Sequence, residues 1–199
     1  MANLSCWCVG WRLRFVHCDI LTAKLPKHIH IISAKEVKMR TKAKFEKVSL
    51  ETFLQSGTEQ TYENILLPKR ATAKSAGYDF FAPTDIDLEP GETTTVATGI
   101  RALMPDNWCL MIFPRSGLGF KFRVRLDNTV GIIDADYCNA PNEGHIFVKI
   151  TNEGAKTLHV PAKNAFAQGI FTQYFLTEDD DVTTERTGGL GSTDKKIVW

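Results

Sequence analysis

From residue 45 onward, apolar positions recur in short stretches at strand-like spacing and are cut off by turn residues. Residues 45–48 open the series. Asp85-Ile-Asp-Leu-Glu-Pro-Gly91 alternates acid and aliphatic, then stops at Pro90-Gly91, which predicts a half-exposed strand entering a turn. Residues 93–100 and 108–113 follow as β-rich runs. Ile146, Val148 and Ile150 alternate with Phe147, Lys149 and Thr151, and residues 157–160 and 169–176 complete the pattern. After Met39 no helical periodicity exceeds a few turns, and no internal repeat is visible. Many short strands without a βαβ rhythm predict an all-β sandwich, jelly roll or barrel.

One run concentrates chemistry. Residues 126–137 read Leu-Asp-Asn-Thr-Val-Gly-Ile-Ile-Asp-Ala-Asp-Tyr. Val130, Ile132 and Ile133 favour extended backbone, and Gly131 permits a bend or the close approach of a ligand. A buried strand is therefore expected to end at Asp134, one of the Asp134–Asp136 pair, beside the Tyr137 ring. A carboxylate among apolar neighbours suits a general base, because partial desolvation raises its proton affinity towards working pH.

Four further polar clusters interrupt the strands. Ser75-Ala-Gly-Tyr-Asp-Phe-Phe-Ala82 sets Asp79 inside an apolar strand, where a carboxylate held by local donors is structural support. Phe113-Pro-Arg-Ser-Gly-Leu-Gly-Phe-Lys121 offers Arg115, Ser116 and backbone N–H groups around Gly117 and Gly119, a set suited to phosphate oxygens. Asn164-Ala-Phe-Ala-Gln168 carries one amide after an apolar strand entry. Glu185-Arg-Thr-Gly-Gly-Leu-Gly-Ser-Thr193 could wrap a polyphosphate with backbone donors, although it lacks the lysine and following helix of a Walker loop. An acidic linker, residues 178–181, precedes it.

Charge and cysteine usage narrow the classes. The 199 residues carry a formal net charge of +1, too little field for non-specific nucleic-acid binding. No apolar run approaches a membrane span. Residues 1–38 hold six basic and two acidic residues, net +4, which leaves −3 for the remainder. Cys6, Cys8 and Cys18 with His17, His28 and His30 match no paired zinc spacing, and Arg12 and Arg14 interrupt any secretory apolar core. This head reads as a misassigned start or a loosely held extension ahead of Met39. Its basic, acid-poor character also fits an organellar presequence; otherwise a cytoplasmic location is expected. Cys109 and Cys138 read as reduced packing residues.

Taken in order, Ala76-Gly-Tyr-Asp-Phe-Phe-Ala82, Pro114-Arg-Ser-Gly-Leu118, Gly131-Ile-Ile-Asp-Ala-Asp-Tyr137, Ala167-Gln168 and Arg186-Thr-Gly-Gly-Leu-Gly-Ser-Thr193 resemble the five motifs of the trimeric dUTPase family. The resemblance spans about residues 45–194. It implies a distorted jelly roll (the β-clip) over residues 39–176, and a homotrimer with active sites at subunit interfaces. Residues 177–199 would form a C-terminal arm that swaps onto a neighbouring chain's site. It further implies hydrolysis of dUTP to dUMP and pyrophosphate, which keeps uracil out of DNA and supplies dUMP for dTTP synthesis. Magnesium would be held by the triphosphate rather than by protein ligands.

By the same resemblance Asp134 is the base that activates water, and Tyr137 lies beneath the deoxyribose where a 2′-hydroxyl would clash. Asn128 and the backbone of Ile132, Ile133 and Phe147 read uracil. Arg115, Ser116 and Gly117 contact phosphates, Gln168 is a polar contact near the site, and Arg186, Ser192 and Thr193 grip the γ-phosphate. Leu190 stands where the family usually has a phenylalanine that stacks on uracil, and the family's fourth-motif arginine is replaced near Ala165. Asp194 replaces a common glycine, and residues 138–144 form an insertion. Two alternatives accompany this reading. One is the related dCTP deaminase, which uses a glutamate and lacks the glycine-rich arm. The other is a regulatory protein whose nucleotide site switches a partner, with the insertion and the head as contact surfaces.

Overall fold

A computed structural model of the chain describes residues 42–189. The head, 1–38, and the arm residues Leu190, Ser192 and Thr193 lie outside the described residues. In chain order the first half contains β1 (Lys44–Lys47), α1 (Leu50–Phe53), α2 (Glu59–Glu63), β2 (Lys69–Arg70), β3 (Tyr78–Phe81), β4 (Ile86–Leu88) and β5 (Thr93–Ala97). Next come β6 (Ile100–Leu103), β7 (Trp108–Pro114), α3 (Ser116–Phe122), β8 (Val124–Leu126) and β9 (Gly131–Asp134). A 3-10 turn (Ala135–Asn139), β10 (Phe147–Asn152), β11 (Leu158–Val160) and β12 (Ala165–Gln173) complete the series.

The strands form a five-stranded sheet in the order β2-β3-β12-β7-β9, a three-stranded sheet β5-β10-β8, and the pairs β1-β6 and β4-β11. The pairings are antiparallel, and neighbours distant in sequence, such as β3, β12 and β7, give the long crossovers of a jelly roll rather than a meander. β12 can sit centrally because Ala165, Ala167 and Gly169 are small while Phe166 fills the interior. Phe53, Phe80, Leu110, Ile112, Leu126, Ile150, Leu158 and Phe166 are fully buried. Each contributes about 1.5–3 kcal/mol by leaving water.

Two predicted runs are redrawn. Residues 93–100 do not form one strand, because Thr98 and Gly99 break it into β5 and β6. Gly99 adopts φ +69°, a conformation strained for any larger residue, and a Cβ there would lie 2.1 Å from Ile65 Cδ1, which would have to move. Its N–H donates to His145 Nε2 at 2.9 Å, while Thr98 Oγ1 donates to the Ile146 carbonyl at 2.7 Å. The last run begins at Ala165 and ends at Gln173, leaving Phe175 and Leu176 exposed beyond the sheet. The three α-helices among the described residues are too short to leave a periodic signature. α1 and α2 are set by the Ser49 and Thr58 hydroxyls, which accept the Thr52 and Thr61 N–H groups at 3.1 and 3.2 Å. No helix among the described residues is long and apolar enough to cross a membrane.

Candidate active site

The run around Gly131 folds as a hairpin whose first arm, β8, pairs with β10 while its second, β9, pairs with β7. Thr129 turns it at φ +65°, an uncommon conformation for a β-branched residue. β9 differs from the expected buried strand: it is the edge of the five-stranded sheet, with Ile132 52% exposed. An edge strand leaves half of its backbone donors and acceptors without a ladder partner. Gly131 serves a close approach rather than a bend, since a Cβ there would lie 3.3 Å from Ile112 Cβ and 3.7 Å from Asn128 Nδ2.

Beside this edge lies a cavity of about 310 Å³ that brings Asn128, Ile132, Ile133 and Phe147 together. Asp127 also lines it, but its carboxylate is occupied. Thr151 Oγ1 donates to Asp127 Oδ1 and Lys149 Nζ lies 3.0 Å from Oδ2, and these bonds, Thr151 first, hold its pKa below the ordinary value. Asn128, at the hairpin tip, makes no side-chain hydrogen bond among the described residues and lines the cavity.

The expected turn after β7 is a helix instead. Arg115 occupies the N-cap of α3, its carbonyl accepts the Leu118 and Gly119 N–H groups, and the Ser116 and Gly117 N–H groups begin the helix without intrahelical partners. Of the two glycines expected to offer free donors, only Gly117 does so. Arg115 Nε lies 3.1 Å from Asp79 Oδ1, and the Asp79 side chain is only 17% exposed, so this carboxylate orients the guanidinium from below. Gln168 Nε2 donates to the Pro114 carbonyl at 3.0 Å. Arg115, Ser116, Asp79 and Gln168 share a second cavity of about 360 Å³.

These two groups stand apart. In the β7–β9 ladder Ile112 faces Gly131 and Cys109 faces Asp134, so Asp134 lies at the end of β7 remote from Arg115. At about 3.3 Å per residue the separation is roughly 17–20 Å. Asp134 itself is not desolvated as expected, for its side chain is 53% exposed. The buried group at this end is Cys109, whose thiol pKa is pushed up by burial and then by Asp134.

Arg186 reaches Asp134 from the arm. Its Nη2 is 2.5 Å from Asp134 Oδ2, its Nε 2.8 Å from Asp136 Oδ1, and its guanidinium carbon 5.7 Å from the centre of the Tyr137 ring. The Arg186 side chain is only 13% exposed. Asp136, to which no role was given from the sequence, is therefore half of the arm's docking site. Glu and Asp pairs two residues apart are too common to signal this without the arm's path.

Tyr137 is buried on the 3-10 turn, and its hydroxyl donates to the His145 carbonyl at 2.9 Å while accepting from Asn142 Nδ2 at 2.9 Å. In the insertion 138–144, a contact surface in the regulatory alternative, Asn139 is exposed while Asn142 and Glu143 are half-buried and engaged with the body of the chain. Glu143 accepts from Ser49 N–H at 2.9 Å and from Thr52 Oγ1 at 2.7 Å. Ser49, then Thr52, hold the Glu143 pKa down. Among the described residues no three His, Cys, Asp or Glu side chains cluster as a metal site.

A family model for dUTPase matches residues 63–194. The deoxyuridine 5′-triphosphate nucleotidohydrolase of Lactococcus lactis subsp. lactis (strain IL1403) is 38% identical over 137 residues, 66% of this chain and 91% of that protein. The crystal structure of dUTPase from Streptococcus mutans superimposes with a TM-score of 0.56 at 36% identity, covering 67% of this chain and 98% of that one. The Staphylococcus bacteriophage 80alpha dUTPase, 18% identical with a TM-score of 0.54 over 74% of this chain and 100% of its own, shares the fold.

Proposed function

This chain belongs to the dUTPase family, and on that premise we propose that it is a dUTP diphosphatase working through Asp134. The observation that carries the reading is the cavity along the β9 edge, where Asn128, Ile132, Ile133 and Phe147 meet on the strand that ends in Asp134. Unpaired backbone groups of an edge strand have fixed directions and can read uracil. Cytosine would leave them mispaired, at a cost of several kcal/mol in a dry site, on the order of an unsatisfied buried hydrogen bond or more. Tyr137 lies three residues further on, in the 3-10 turn that follows β9, and supplies the floor for the deoxyribose.

Asp134 takes a proton from a water as that water attacks the α-phosphorus in line. The bond from phosphorus to the α,β-bridging oxygen breaks, and dUMP and pyrophosphate leave. Arg115, with the Ser116 and Gly117 N–H groups, stabilises charge on the phosphates, and Asp79 keeps Arg115 aimed. Gln168 stiffens the same turn through Pro114. Magnesium bound to the triphosphate would supply further charge neutralisation.

The separation of Arg115 from Asp134 within one chain supports a site shared between chains, with the second-motif groups delivered by a neighbour. A homotrimer meets that need, and exposed Ile132, Phe120, Phe175 and Leu176 offer apolar surface for it. Arg186 pairs with both Asp134 and Asp136. The triphosphate competes for that guanidinium, so nucleotide binding transfers Arg186 to phosphate oxygens and frees the base. Leu190, Ser192 and Thr193 would complete this grip.

Pyrophosphate release measured with dUTP, dCTP, dTTP and UTP tests the reading. dUTP alone should be turned over efficiently. Ammonia release from dCTP would favour the deaminase alternative, and no release from any of the four would sink the assignment.

A further inference from the structure

We propose that Asn142 is a positioning residue for sugar selection: it locks the Tyr137 ring in place and so sets how strictly a ribonucleotide is refused. The inference rests on the reading of Tyr137 as the floor beneath the deoxyribose. A floor rejects a 2′-hydroxyl only if it cannot yield. The 3-10 turn that bears Tyr137 is a single short turn with no side-chain hydrogen bond at its N-cap, so the backbone alone is a weak mount. The ring is fixed instead at its far end, where the hydroxyl is held between the Asn142 amide and the His145 carbonyl, both at 2.9 Å.

Asn142 is itself immobilised. Its Oδ1 accepts the Gly144 N–H at 3.2 Å, and its carbonyl accepts the His145 N–H at 3.0 Å. Gly144, at φ +74°, lets the loop close so tightly that a Cβ there would lie 2.7 Å from Cys138 Cα. The neighbouring Glu143 ties the loop to Ser49 and Thr52 at the start of α1, across more than ninety residues of chain. The insertion is thus a bracket built around one amide. Gly189 of the arm passes over the other face of that amide, its Cβ position 3.6 Å from Asn142 Cγ. Ring, bracket and arm meet at Asn142, and loosening the amide frees the ring to tilt away from an added oxygen. Ribose then gains more than deoxyribose does, because only ribose was obstructed.

The test is steady-state kinetics with dUTP and UTP on wild type, Asn142→Ala, Tyr137→Phe and the double variant. The ratio of kcat/KM for dUTP over UTP should fall by about tenfold or more in each single variant, with most of the change in the UTP value. The double variant should be no worse than either single one, since both remove one shared contact. Tyr137→Phe leaves the bond from Gly144 to Asn142 untouched, so it decides the matter alone if Asn142→Ala fails to fold. A wild-type ratio in Tyr137→Phe, or multiplying losses in the double variant, would overturn the proposal while leaving the dUTPase reading intact. A wild-type protein inert towards dUTP would bring down both.

Discussion

Asp134 and Arg115 stand at opposite ends of one β-ladder: Cys109, not Arg115, is the residue that faces Asp134 across β7 and β9. With this separation a single chain does not bring Asp134 and Arg115, the base and the phosphate-binding arginine of the proposed mechanism, to one phosphate. Subunit mixing exposes this. Asp134→Asn and Arg115→Ala chains should each be inactive alone. Co-assembled at equal amounts, they should recover about a quarter of wild-type activity, the random fraction of interfaces that pair one intact Asp134 with one intact Arg115. No recovery from well-formed mixed assemblies would place both groups in one chain's site.

Asp134→Asn preserves shape and removes the proton acceptor. Pyrophosphate release should fall by about 10²–10⁴-fold, the usual worth of a general base, while a non-hydrolysable dUTP analogue still binds by calorimetry. Near-normal turnover would remove Asp134 from the role of base.

The arm is tested by ending the chain before Arg186. The β domain has its core elsewhere, so circular dichroism and the oligomeric state should be unchanged. Hydrolysis should drop by about a hundredfold or more through loss of charge stabilisation at the phosphates. Full activity of the truncated protein would show that the Arg186 contact with Asp134 and Asp136 has no catalytic counterpart.

His145 makes stability depend on pH. It is buried against Phe53 and Phe147, its Nε2 accepts the Gly99 N–H, and burial lowers its pKa from 6.5 to about 4. Between those values the unfolded chain binds a proton that the folded chain does not, so acidification favours unfolding. The thermal midpoint should be insensitive to this group above about pH 6.5, fall as pH is lowered towards 4, and gain no further loss from it below 4. Glu46, held down by Lys44 and Arg101, and Glu143, held down by Ser49 and Thr52, add their own losses only at lower pH. His145→Gln keeps an acceptor for Gly99 without titrating, and should flatten the melting curve's pH dependence in that window. An unchanged slope would assign the effect to another group.

Much of the site was legible because its residues are local in sequence. Asn128, Ile132 and Ile133 lie on one hairpin, and the alternation of Val148 and Ile150 with Lys149 marks the strand that closes their cavity. Asp79 reads as support from sequence, since a carboxylate inside an apolar strand needs a partner, and the structure sets Arg115 Nε 3.1 Å from it. What escaped are relations made by turns and crossovers. The break at Thr98-Gly99 depends on Ile65 and His145 arriving from elsewhere, and the short α3 carries too few residues for a helical period. Asn142 sits in the 138–144 insertion, which from sequence reads as a candidate contact surface, and its bond to Tyr137 depends on how that loop closes.

Residue order by itself determined the strand-rich class, the motifs and the identity of the chemical groups, because side-chain chemistry and period-two patterning are properties of neighbours along the chain. Tertiary structure alone decided that β9 is an edge, that Asp134 and Arg115 are held apart, and that Asn142 grips Tyr137. Those facts depend on which strands pair and where loops close, and pairing energy is shared among residues that no local pattern connects.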